Sequence, residues 1–254
     1  MKPELLSRRR SGRSIESGFS LIELMIAVTI GLFISAALGA VFINTKSAFS
    51  SQDQLAQLED NERLAMTLLT SSIQAAGFFP NPNQFTRVQA LPAYSVPNST
   101  AQFLAGQGIA GVSGGANGVG EVLATQFAAL STDLQSSCLG DSATSATVPT
   151  VIASVFSVSA TNDLQCTVYL KGSLTPTPAG TNALVSGVKS FTVLYGVDAA
   201  GTGGNSATQY MAASSMTGLW KFAKTAQITI NFVNPYGTQP ITWVTTVSLM
   251  NGNQ

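Results

Sequence analysis

Residues 19–42 form a run of 24 positions that is apolar apart from one charge, Glu23. As a helix rising ~1.5 Å per residue it spans about 36 Å, enough to cross the ~30 Å hydrocarbon core of a bilayer. From Asn44 to about Ala76 no Pro or Gly interrupts the chain, and Leu55, Leu58, Met66, Leu69 and Ile73 recur near the helical period. Asp53, Glu59, Asp60, Glu62 and Arg63 fall on the opposite face, so this half reads as amphipathic and suited to lie against a sheet. Gly77, Pro80 and Pro82 end it. Beyond Pro82 short β-rich runs alternate with Gly, Asn, Ser and Thr, giving candidate strands at 121–128, 150–159, 165–170, 185–195, 226–233 and 241–250. Ile228, Ile230 and Phe232 alternate as a half-buried antiparallel strand does.

The predicted fold class is therefore α+β: a long N-terminal helix packed on a C-terminal antiparallel β-sheet domain. Its expected divisions are a leader at 1–18, a transmembrane half of the helix at 19–42, an amphipathic half at 43–76 and a β-rich globular domain at 77–254. Gly31 and Gly39 lie in the spanning half, where they serve either close helix packing or flexibility, and their spacing is not GxxxG.

Charge sharpens this picture. Only 9% of residues are charged while 45% are hydrophobic, against about 25% charged in ordinary soluble domains. The formal net charge of zero hides an asymmetry: Lys2, Arg8, Arg9, Arg10 and Arg13 precede Gly18 against only Glu4 and Glu16, so the head carries +3 and the remainder −3. The arginines place the N-terminus in the cytoplasm and everything after Lys46 outside. A secretory signal peptide fits less well, because its apolar region runs ~7 to 15 residues and stops at a cleavage site. Glu23 costs roughly 2 to 3 kcal/mol on insertion, so it either snorkels to the interface or has an assigned partner.

Several chemistries are disfavoured. An acidic remainder argues against nucleic acid as a partner. There is no histidine, which removes the commonest general base and metal ligand, and no nucleophile with a visible activating base takes its place. No enzyme activity, cofactor or metal is expected. The Gly-rich stretch 106–120 lacks the phosphate-loop arrangement and reads as a loop. Residues 198–205 offer Asp198 and Asn205 where calcium wants about six to eight oxygens. Cys138 and Cys166 lie beyond the membrane run, and an even pair in an exported domain favours a disulfide, worth on the order of 3.5 kcal/mol by loop entropy. Trp220, Phe222 and Trp243 are expected in the core rather than as partner contacts.

The segment Gly18-Phe19-Ser20-Leu21-Ile22-Glu23-Leu24-Met25, behind its Arg-rich leader, resembles the type IV prepilin signature. The resemblance implies that a membrane-embedded prepilin peptidase cuts between Gly18 and Phe19 and methylates the new amine of Phe19, making Glu23 the assembly glutamate. The physics agrees: cleavage leaves a positive amine in a low-dielectric slab, and a carboxylate is its natural counter-charge. Further along, Leu58-Glu59-Asp60-Asn61-Glu62-Arg63-Leu64-Ala65 with Ile73-Gln74-Ala75-Ala76-Gly77, then Leu184 to Val188 and Leu194 to Asp198, look like PilW-type minor pilins, which the cysteine pair also fits. That resemblance implies a structural subunit helping to initiate or cap a type IV pilus, with roles in pilus biogenesis, twitching motility and adhesion. Implied partners are the prepilin peptidase, other minor pilins, the major pilin and a large pilus tip protein. The implied location is the bacterial inner membrane, single-pass, with the C-terminal domain in the periplasm and the subunit entering the pilus at its tip. Alternatives are a pseudopilin of a type II secretion system and a membrane-tethered binding module.

Overall fold

The computed structural model describes residues 18–97, 101–114, 120–171, 177–198, 206–235 and 237–251. The leader, save Gly18, lies outside them, as do residues 199–205 of the weighed calcium loop. The chain divides into two compact units, 1–55 and 56–254.

Helix α1, Leu21–Ala75, runs unbroken for 55 residues. In the first unit its side chains are exposed apart from the half-buried Ser51, and an 18-residue window there has a mean hydropathy of 2.5. Two hydroxyls in this run bond back to helix carbonyls, Thr29 Oγ1 to Ile26 O at 2.9 Å and Ser35 Oγ to Gly31 O at 2.8 Å. They thus bring no unsatisfied donor into an apolar medium. In the second unit α1 buries Glu62, Ala65, Leu69 and Ile73, each large apolar side chain contributing roughly 1.5 to 3 kcal/mol. The stripe differs from the expected one at its start and at one position within it. Leu55 is exposed, and Glu62, expected on the polar face, is only 3% exposed. The steps 62, 65, 69 and 73 put Glu62 on the packed side, so periodicity outweighs its charge.

The predicted antiparallel sheet is realised as two main sheets. Five strands, in the order β3-β4-β5-β6-β7, comprise β3 (Ile109–Val112), β4 (Val122–Ala129), β5 (Thr150–Val158), β6 (Asp163–Lys171) and β7 (Thr177–Ser186). Four strands, in the order β11-β10-β8-β9, comprise β8 (Val188–Val197), β9 (Gln209–Ala212), β10 (Ala223–Phe232) and β11 (Ile241–Ser248). A small pair, β1 (Tyr94–Ser95) and β2 (Gln102–Phe103), and the short helix α2 (Arg87–Ala90) complete the head. Neighbouring strands pair antiparallel throughout.

Two expectations change here. The single strand foreseen at 185–195 is broken at Gly187, whose φ of +81° suits glycine. It turns the chain out of β7 in one sheet into β8 in the other. The stretch 106–120, read as a loop, contains β3. Gly111 is needed in that strand because a Cβ would collide with the Tyr195 hydroxyl, which is fully buried and donates to Ala110 O at 3.5 Å.

The main core lies between α1 and the inner faces of both sheets, with Leu69, Ile73, Leu123, Phe127, Ile152, Phe156, Phe191, Ile228 and Phe232 together. Every residue of β4 is buried, because the other face of its sheet is also covered. Tyr94, Val96 and Phe103 pack on Val122, Ala124, Ala153 and Val155, while Ala90 and Leu91 pack on Ala128 and Val151. Arg87 fastens this cover, donating from Nε to Gly106 O at 2.5 Å and from Nη2 to Asn251 O at 2.8 Å. Near the end of α1, Asn251 Nδ2 donates to Gln74 O at 3.4 Å. Trp220 and Phe222 are partly buried against the core, Trp220 edge-on to Tyr195 at 4.7 Å. Trp243 departs from the core expectation: it is 46% exposed, because β11 is the outer strand of its sheet among the described residues, next to β10.

Candidate assembly site

Gly18, Phe19 and Glu23 gather at the start of α1. Ser20 explains why the helix begins there. Its Oγ accepts from Glu23 N at 3.3 Å, and its carbonyl accepts from Glu23 N at 3.1 Å and Leu24 N at 3.2 Å. A serine before the first turn with a glutamate three residues on is the sequence pattern of a helix N-terminus. That pattern, Ser20 to Glu23, was available in the sequence and is what fixes the phase of the first turn. Glu23 sits in that turn, where the positive end of the helix dipole favours a carboxylate.

The surroundings are open. Phe19 is 84% exposed, and nothing lies within 4 Å of a Cβ built on Gly18. Leu21, Ile22, Leu24, Met25 and Ile26 are exposed around the carboxylate. Gly31 and Gly39 likewise have no neighbour within 4 Å of a built Cβ. The site thus presents a carboxylate, one helical turn from Phe19, among apolar side chains that are exposed among the described residues.

In the second unit the structure joins Cys138 to Cys166, with Cα atoms 6.5 Å apart. The bond is buried in the main core. Glu121 links the two sheets: its backbone N donates to Phe191 O at 2.8 Å, its Oε2 accepts from Val193 N at 2.6 Å, and its Oε1 accepts from Ser113 Oγ at 3.3 Å. Burial pushes its carboxyl above the usual range, partly opposed by those hydrogen bonds. Burial and then Glu59 raise Glu62 in the same direction. Sequence reasoning singled out neither of these two carboxylates for burial, since nothing local to either predicts its tertiary neighbours. Among the described residues no group of three or more His, Cys, Asp or Glu is placed to hold a metal ion.

Against this geometry, the family model for the prokaryotic N-terminal methylation motif matches residues 13–39, which include Gly18, Phe19 and Glu23. The model for type IV pilus-assembly protein W matches residues 151–234, from β5 through β10. In these two segments the chain is similar to type IV pilin-like proteins of the PilW type. No curated protein matches it. The two pilin matches join the apolar helix to the β-rich head, and they point to a structural protein of a type IV pilus rather than an enzyme.

Proposed function

We propose that this pilin-like chain is a minor pilin that helps initiate or cap a type IV pilus. Prepilin peptidase removes the leader between Gly18 and Phe19 and methylates the Phe19 amine. Glu23 then pairs with the amine of a neighbouring subunit. The observation that carries this reading is the placement of an exposed Glu23 in the first turn of a helix whose apolar side chains are exposed among the described residues. A carboxylate and an amine left apart in lipid each carry a desolvation cost that their pairing offsets, so assembly and charge compensation become one event. Other minor pilins and the major pilin contact the chain through this helix, and a large tip protein sits beyond the periplasmic head. The head of about 178 residues supports a tip position, since a bulky head packs poorly in a repeating shaft.

Substitution Glu23→Val tests the proposal in cells that make the other pilus components. Membrane insertion and leader removal are expected to stay at wild-type levels, while recovery of the chain in sheared pili falls to background. Wild-type recovery of the variant in pili would refute the pairing role.

A further inference from the structure

The connection from β4 to β5, residues 130–149, holds no strand or helix beyond an isolated bridge between Ser136 and Ser142. Its hydrogen bonds are almost all its own. Leu130 N donates to Asp133 Oδ2 at 2.7 Å, and Ser131 N to Ser145 O at 2.8 Å closes the neck. Within it, Ser137 Oγ accepts from Leu139 N at 3.1 Å and Asp141 N at 3.0 Å, while Ser137 N donates to Asp141 O at 2.7 Å. Such a loop is a compact unit packed on itself. Among the described residues, one hydrogen bond leaves it, from Cys138 N to Ser154 Oγ on β5 at a long 3.4 Å. The remaining ties are the disulfide to Cys166 on β6 and apolar contact by Cys138, Ala143 and Leu139, the last reaching 3.6 Å from a Cβ built on Gly180 of β7. The loop therefore lies over the inner face of β5, β6 and β7, where Phe156, Cys166 and Val168 are fully buried.

We infer that residues 130–149 are a hinged cap on the core and that Cys138–Cys166 is its redox latch. The strands beneath do not depend on the cap for their pairing: β5 meets β6 over eight residue pairs without a register shift. Releasing the disulfide leaves the cap with one weak hydrogen bond and a small apolar contact, so it opens locally while the sheets persist. A dithiol drives the step. Its thiolate attacks Sγ of Cys138, the less buried residue of the pair at 7% exposure against 0%, and the Sγ–Sγ bond breaks with Cys166 leaving as a thiolate that takes up a proton. The second thiol of the reductant then closes on the mixed disulfide and releases Cys138 as a thiol. The protein gains two electrons and two protons, and the reductant becomes a cyclic disulfide. In an oxidising compartment the cap is shut, and in a reducing one the inner face of β5 to β7 is accessible. This inference stands apart from the pilus reading.

Hydrogen–deuterium exchange on the full chain in detergent, oxidised and after dithiothreitol, tests it. After reduction, amides of 130–149 are expected to exchange at least about tenfold faster and Cys166 to become alkylated by iodoacetamide, while β4, β5, β8 and β10 keep their protection. Three results overturn the latch: protection of 130–149 that persists once both thiols are free, loss of protection across both sheets together, or a disulfide that resists reduction until the sheets unfold.

Discussion

On the packed stripe of α1 one position is occupied by a carboxylate: Glu62 precedes Ala65, Leu69 and Ile73 at steps of three and four. Its Oε1 is buried with no hydrogen-bond partner among the described residues. Burial and the neighbouring Glu59 raise its pKa in the folded state, so the native protein holds this proton more tightly than the unfolded chain does. Stability from this group is accordingly fully present below the ordinary glutamate range near 4.5 and is lost as pH rises through the raised folded value. Substitution Glu62→Gln removes the buried charge. It is expected to raise stability at pH 7 by about 1 kcal/mol and to flatten the fall in stability above pH 5, read by urea unfolding across pH. Unchanged or lower stability at pH 7 would contradict this account. Glu121 is raised by burial as well, yet it accepts from Val193 N and Ser113 Oγ. Its removal would leave the Val193 amide, one residue before the stretch of β8 that pairs with β9, without that acceptor.

At the scale of elements, the edges of the sheets differ in kind. β3 and β9 are four residues long, and the pairing of β7 with β6 contains two register shifts. β11 pairs with β10 over eight residue pairs without a shift, and its sequence Ile-Thr-Trp-Val-Thr-Thr-Val-Ser carries no charge or proline. Trp243 and Val244 on it are about half exposed. Long, flat, uncharged edges invite strand pairing between molecules. Substitution Val244→Lys is expected to reduce light scattering of the concentrated, detergent-extracted chain while leaving the melting temperature within about 3 °C of wild type, since the side chain is on the surface. Scattering equal to wild type would exclude this edge as the source of association. Elements also mark how far pattern reading reaches. The long helix and the strands at β4, β5, β6, β10 and β11 were legible, because each is a continuous run with a clear period and turn residues at its ends. β3 and β9 were not, being four residues each among Gly, Ser and Asn, where period carries no information. The break at Gly187 was hidden because the residues on both sides of it favour strand.

For the molecule as a whole, the basic N-terminal segment, the apolar helix and the β-rich head each impose a different demand on one chain. If the leader is removed as proposed, mass measurement and N-terminal sequencing of the membrane-extracted protein are expected to find a chain starting at Phe19 and carrying one added methyl group. A chain still starting at Met1 would contradict processing at Gly18. The sequence by itself determined the long apolar helix, the α+β class and the cysteine pair, because hydropathy and periodicity act along the chain and leave one-dimensional traces. The tertiary structure alone decided that the strands divide into two sheets, that Glu62 is buried while Trp243 is half exposed, and that residues 130–149 fold over β5 to β7. Those outcomes depend on contacts between positions far apart in the chain, where burial is set by whatever neighbour arrives and not by the residue's own polarity.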